Sequence, residues 1–254
     1  MKLWMIFVGG LILAVAGILA IAYFALPHSG EAEENTLEGF DDTPGYTIEA
    51  VGEDITKIMP NVDRGVTFSA SVPSEVRTLI NSKVAEIVAR LKADPLRSAD
   101  WFNLGILYHS ANDFQGEKEV WEFLIKVAPT DSTSYENLGK LHHFSIPDFP
   151  KAELNFKKAI TLNPESINSY LELFQLYKYS YKVETSASID ILKEAATKFP
   201  KNPDPYHLIG LEYRDRNDTA NARVYLTKAI DIARAIGNLD LVQAIGDELA
   251  KLPQ

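Results

Sequence analysis

Trp101-Phe102-Asn103-Leu104-Gly105-Ile106-Leu107-Tyr108 is the stretch that decides the fold, because its frame returns three more times. An aromatic residue is followed by Leu or Ile three positions on, and then directly by a glycine or its replacement. Tyr135, Leu138 and Gly139 repeat the frame, then Tyr170, Leu173 and Phe174, then Tyr206, Ile209 and Gly210. The openings at Trp101, Tyr135, Tyr170 and Tyr206 stand 34, 35 and 36 residues apart. Within a copy the aromatic, the aliphatic and the next aromatic fall at i, i+3 and i+7, one face of an α-helix. A second segment follows a turn. It carries Trp121 in copy one, then Ala152, Phe156 and Ala159, then Leu192 and Ala195, then Ala222, Leu226 and Ala229. Pro129, Pro164 and Pro200 close the first three copies, since proline cannot continue a helix interior. A period near 34 built from two helical segments predicts an all-α helix-turn-helix solenoid.

Glycine inside a helix costs about 1 kcal/mol against alanine, so Gly105, Gly139 and Gly210 predict sites where a second helix approaches closely. This pattern resembles the tetratricopeptide repeat (TPR) family over roughly residues 72–252. The chain departs from the family pattern in three places. Copy one has Glu117 and Leu124 at alanine positions, and copy two carries an extra residue around Ile146-Pro147-Asp148. Copy three has Phe174 for glycine and extra residues around Tyr181–Thr185, which predicts a splayed helix pair. The expected organisation is a solenoid over 71–254: a half repeat at 72–95, repeats at about 98–131, 132–166, 167–202 and 203–236, and a capping helix at 238–252.

The front of the chain differs. Leu3 to Leu26 is an uncharged run of 24 residues, preceded only by Lys2. At about 1.5 Å per residue it is long enough for a bilayer core of about 30 Å. Residues 1–30 are therefore expected to be an uncleaved transmembrane signal anchor, longer than the apolar core of a cleaved signal peptide. The positive-inside rule puts the N-terminus in the cytoplasm and the solenoid on the extracytoplasmic side, in the cell envelope. Residues 31–70 hold ten acidic residues against Lys57 and Arg64, a net of −8 out of −10 for the whole chain. Such a segment reads as an extended, flexible acidic linker. Its later part, Ile55–Phe68, is apolar enough to dock on the first helix.

Little in the sequence supports catalysis. There is no cysteine, and the five histidines form no zinc-type helix pair. No phosphate loop, dinucleotide fingerprint or nucleophile elbow occurs. The expectation is no enzyme, no cofactor and no metal. The acidic balance disfavours nucleic acid, which needs a basic face. His142 and His143 are neighbours, so one is expected to face the core and the other the groove.

The TPR resemblance implies a concave groove lined by the first helix of each pair. Carried over residue by residue, it names Phe102, Ile106 and His109 from copy one, and Glu136, Lys140, His143 and Phe144 from copy two. Copy three contributes Leu171, Gln175, Lys178 and Tyr179, and copy four His207, Leu211 and Arg214. Aromatics for contact area and cations for carboxylates suit an extended or helical peptide. The implied function is protein–protein interaction: a membrane-tethered scaffold, adaptor or assembly factor in an envelope complex. Two alternatives stand beside it. One is a homo-oligomeric structural membrane protein, and the other a secreted soluble TPR protein after signal-peptide cleavage.

Overall fold

The computed structural model describes residues 48, 55–183 and 185–253. The run Leu3–Leu26 and the acidic stretch 31–47 lie outside the described residues. Among the described residues there are ten α-helices and no strand, and no helix is long and apolar enough to cross a membrane. The chain divides into two compact units, one ending at Ile146 and the other beginning at Pro147.

The first unit contains α1 (Ser74–Ala93), α2 (Ser98–Ser110), α3 (Phe114–Val127) and α4 (Ser132–Lys140). Each packs on its sequence neighbour. Trp101, Leu104, Trp121, Phe123 and Leu124 are fully buried between them, with the Trp101 and Phe123 rings 4.6 Å apart. Gly105 explains how α2 and α3 meet. A Cβ placed there would lie 2.6 Å from the Trp121 ring, so only glycine lets the indole lie across α2. The turn between the two helices puts Asn112 at φ 57°, a left-handed conformation that asparagine tolerates. The Asp113 carboxylate then caps α3 by accepting from Gly116 N–H at 3.1 Å.

The same carboxylate clamps the chain upstream. Arg64 donates to both Asp113 oxygens, at 2.8 and 3.0 Å, and Thr67 N–H donates to Oδ2 at 2.8 Å. Burial pushes the Asp113 carboxyl up, but Arg64 and the two backbone N–H groups hold it below the usual carboxylate range. Residues 55–72 therefore lie on α1 and the α2–α3 turn, with Val62 and Val72 buried. Lys92 pairs with Asp63 at 2.5 Å, and Arg77 Nε donates to Val72 O at 2.8 Å. Among the described residues no α-helix precedes α1, and this segment packs on it instead.

The extra residue of copy two is absorbed as a π-helical turn, Leu141–Ser145, continuing α4. Its signature is the i→i+5 bond from Ile146 N–H to Leu141 O at 2.9 Å. The turn buries both histidines, His142 at 3% exposure and His143 at 5%. The expectation that one of the pair faces an open groove is thus corrected. His142 stands seven residues after Tyr135, the place that Tyr108, Tyr177 and Tyr213 take in the other copies.

The second unit runs α5 (Phe149–Leu162), α6 (Ile167–Tyr179), α7 (Ala187–Lys198), α8 (Pro203–Asp215), α9 (Thr219–Ala235) and α10 (Leu239–Ala250). Phe156, Leu173, Leu176, Leu192, Ile209 and Leu226 form its fully buried centre. Copy three is not splayed: α6 and α7 pack together. Phe174 joins the core in place of glycine, and the extra residues are taken up in the turn. There Lys182 adopts φ 61° and its ammonium bonds both Glu153 oxygens, at 2.7 and 2.8 Å. In copy four the close approach returns, since a Cβ on Gly210 would lie 2.7 Å from Leu226.

α10 carries the repeat frame once more. Val242, Ile245, Gly246 and Leu249 stand at the spacing of Tyr206, Ile209, Gly210 and Tyr213. Ile245 is fully buried, but a Cβ on Gly246 would meet nothing. Among the described residues, α10 thus has the frame of a first helix with no second helix across its glycine.

Two outcomes follow from these contacts. Gly246→Ala should stabilise the second unit by about 0.5–1 kcal/mol. Gly210→Ala should destabilise it by about 1–3 kcal/mol, because the Leu226 backbone also stands in the way. Denaturant midpoints of the two variants decide it, and equal shifts would contradict the packing described. The second outcome concerns His143, whose imidazole burial lowers from 6.5 to about 4. The unfolded chain takes up a proton there below about pH 6.5 and the folded chain does not. Stability therefore falls as pH drops through that window. Circular dichroism on acid titration should show a shallower fall between those values for His143→Asn than for the parent chain.

Candidate protein-interaction surfaces

The fourteen residues expected to line a groove divide equally between the two units, so each unit presents its own candidate surface. In the first unit Phe102, Ile106 and His109 lie along α2. Phe102 is half-buried, edge-on to Trp121 with ring centroids 5.4 Å apart, and Ile106 packs against the same core. Both therefore carry structural weight as well as surface. His109 is exposed, but its Nδ1 lies 3.0 Å from the buried Glu117 Oε2. On α4, Lys140 donates to Glu136 at 2.7 Å. Of the two expected groove residues in the π-turn, Phe144 is 43% exposed while His143 is buried. His143 is thus withdrawn from the surface assigned to it by the sequence.

In the second unit Leu171, Gln175 and Tyr179 lie on α6. Leu171 is half-buried against the core and Tyr179 is 68% exposed. Lys178 turns toward α8, where it pairs with Glu212 at 2.5 Å and Asp215 at 3.2 Å. Burial lowers the Lys178 ammonium, yet its hydrogen bonds to those two carboxylates raise it above its ordinary value. Glu212 is also held by Ser188, whose hydroxyl donates at 2.7 Å. On α8, Leu211 is half-buried, and Arg214 donates to Asp215 at 2.8 Å. His207 Nε2 lies 2.7 Å from Glu248 Oε2 of α10.

These contacts change the chemistry expected of the surface. Each cation proposed for capturing a partner carboxylate already has one from its own unit. What remains open is aromatic and amphipathic: Phe144 in one unit and Tyr179 in the other. The residue that sequence reasoning missed is Glu248, which ties α10 to the face of α8. The recurrence of the repeat frame at Val242–Leu249 was the available signal, because it marks α10 as the next first helix.

Residues 203–236, spanning α8 and α9, match the tetratricopeptide repeat. No curated protein matches the sequence. Among solved structures, the fold is similar to a crystal structure of MamA, with a TM-score of 0.52 and 21% identity, covering 67% of this chain and 99% of that one. A second crystal structure, of MamA protein, has a TM-score of 0.43 at 23% identity, covering 59% of this chain and 85% of that one. At such identity the first likeness is one of fold. The described part of the chain is thus all-helical, with one tetratricopeptide repeat at 203–236 and a fold similar to that of MamA.

Proposed function

We propose that the chain is a protein-interaction scaffold rather than an enzyme, held at a membrane by residues 3–26. In this reading the helical units lie on the extracytoplasmic side, at the cell envelope. Each takes an extended or helical segment of a partner on the face of its first helices. The observation that carries the reading is Tyr179. It is 68% exposed at the end of α6, in line with Leu171 and Gln175 on a TPR-type first helix. An exposed aromatic offers contact area with a polar tip, the property that enriches tyrosine in interfaces.

Membrane tethering is supported by the apolar run Leu3–Leu26 and the lone Lys2 before it. Intact mass of the chain recovered from membranes after alkaline extraction tests this part. Retention of Met1–Leu26 is expected, and a mass lacking them would replace the anchor by a cleaved leader. The binding part is tested by Tyr179→Ala and Phe144→Ala, both side chains outside the hydrophobic cores, although Phe144 also lies on the His143 ring at 3.8 Å. Each should lower capture of a cross-linked partner by about tenfold, the loss of one interface anchor, with no change in thermal midpoint. Phe102→Ala is a poor probe, because it also removes packing on Trp121. Unaltered capture in both exposed-site variants would move the binding face elsewhere.

A further inference from the structure

Glu117 is out of place for a repeat of this kind. It stands four residues before Trp121, where the other copies put Ala152, Ser188 and Ala222 before Phe156, Leu192 and Leu226. Those residues are small because two helices meet there. Glu117 instead brings a carboxylate into the α2–α3 contact, with its side chain only 5% exposed. An unpartnered buried carboxylate costs far more than a buried neutral group. Two partners hold it. Trp121 Nε1–H donates to Oε1 at 3.2 Å, and His109 Nδ1 lies 3.0 Å from Oε2. Of the two, only His109 takes on a positive charge. Its side chain is 58% exposed, so it exchanges protons with solvent.

We propose that His109 and Glu117 form a proton-operated latch between α2 and α3, closed while the imidazole is protonated and loosened when it is neutral. The latch belongs wholly to the first unit and does not depend on the binding role proposed above. The charged groups around His109 are Glu117 on α3 and Lys140 on α4, the latter paired with Glu136 at 2.7 Å. The Arg64–Asp113 pair lies beyond Tyr108 and compensates itself, at 2.8 Å. The hydrogen bond to Glu117 raises the imidazole above its ordinary value of 6.5, while burial and Lys140 oppose the shift. The sign follows. A raised histidine contributes its full stabilisation below the unfolded value and loses it as pH rises through the folded value. The latch thus works above the ordinary imidazole value of 6.5, whereas the effect of His143 lies between 6.5 and about 4. Since His109 shares a face of α2 with Phe102 and Ile106 at i, i+4 and i+7, the latch makes the rigidity of that face depend on pH near neutrality.

Amide hydrogen exchange of the full chain, read by mass spectrometry over α2 and α3, tests the latch at about pH 6.5 and about pH 8.5. Protection corrected for intrinsic rate should fall about fivefold or more across that range in the parent chain. His109→Arg keeps the charge at both values and should abolish the fall. Glu117→Gln keeps an acceptor for Trp121 but removes the ion pair, and should flatten the response at the lower level. Proton NMR should place the His109 titration above 6.5 in the parent and lower in Glu117→Gln. Unchanged protection in the parent chain, or the same fall in His109→Arg, overturns the latch. So does a His109 titration at or below the ordinary value. Should Glu117→Gln fail to fold, the parent and the arginine variant still decide.

Discussion

How closely the two helices of a pair can approach is the constraint on which the rest depends. At Gly105 and Gly210 there is no room for a methyl group, because Trp121 in one unit and Leu226 in the other lie directly on the glycine. That contact brings large buried residues from both helices into one layer. Burial of such side chains contributes about 1.5–3 kcal/mol each, against a backbone cost of about 1 kcal/mol for the glycine. The exchange is favourable only if a second helix is there to cover the site. Gly246 shows the other case, a glycine with the same frame and nothing across it. The frame alone therefore marks a first helix, whereas the pair requires the covering side chain as well.

Where the chain departs from the frame in copies two and three, the extra residues fall in the turns. One extra residue in copy two widens the end of α4 into a π-turn. The extra residues of copy three are held by Lys182 on Glu153, which also accepts from Tyr177 at 2.6 Å. Glu153 is correspondingly lowered to about 2: burial would raise it, but Lys157, Lys182 and Tyr177 all hydrogen-bond its charged form. Carboxylates buried between helices are accommodated differently, by partners on a neighbouring helix. Glu117 has His109 and Trp121, and Glu212 has Lys178 and Ser188. A polar group between helices is tolerated because its hydrogen bonds are made within the same unit.

The parts of this fold that were legible in the sequence are those written in local spacing. An aromatic, an aliphatic and a glycine within eight residues fix a helix face, and Asn112-Asp113 and Asn217-Asp218 mark the turns that cap α3 and α9. The illegible parts depend on residues far apart in the chain. The apolar character of Ile55–Phe68 marks that length as able to dock, but not what fastens it: Arg64 meets Asp113 across 49 positions. The burial of His143 depends on a π-turn, and an insertion of one residue has no sequence signature that distinguishes a widened helix from a longer loop. α10 carries the same spacing in weaker form, with Val242 where the other copies have an aromatic.

The candidate surfaces show the same limit in a sharper form. Helical spacing correctly groups Phe102, Ile106 and His109 on one helix, but it does not reveal which charges are already spent. Lys140, Lys178, His207 and Arg214 each lie within 3.2 Å of a carboxylate of their own unit. A partner carboxylate approaching any of them must compete with a group that is preorganised and loses no translational freedom on binding. The Arg214–Asp215 pair is exposed, and such pairs contribute only about 0–1 kcal/mol, so exchanging it for another yields little net affinity. Apolar contact carries no such competition, since burying part of Tyr179 or Phe144 removes surface from water at about 25 cal/mol per Å² whatever the neighbouring charges do. On the proposed surfaces a partner would therefore gain most of its binding energy from the aromatic residues, while the charges would set orientation and exclude unsuitable partners.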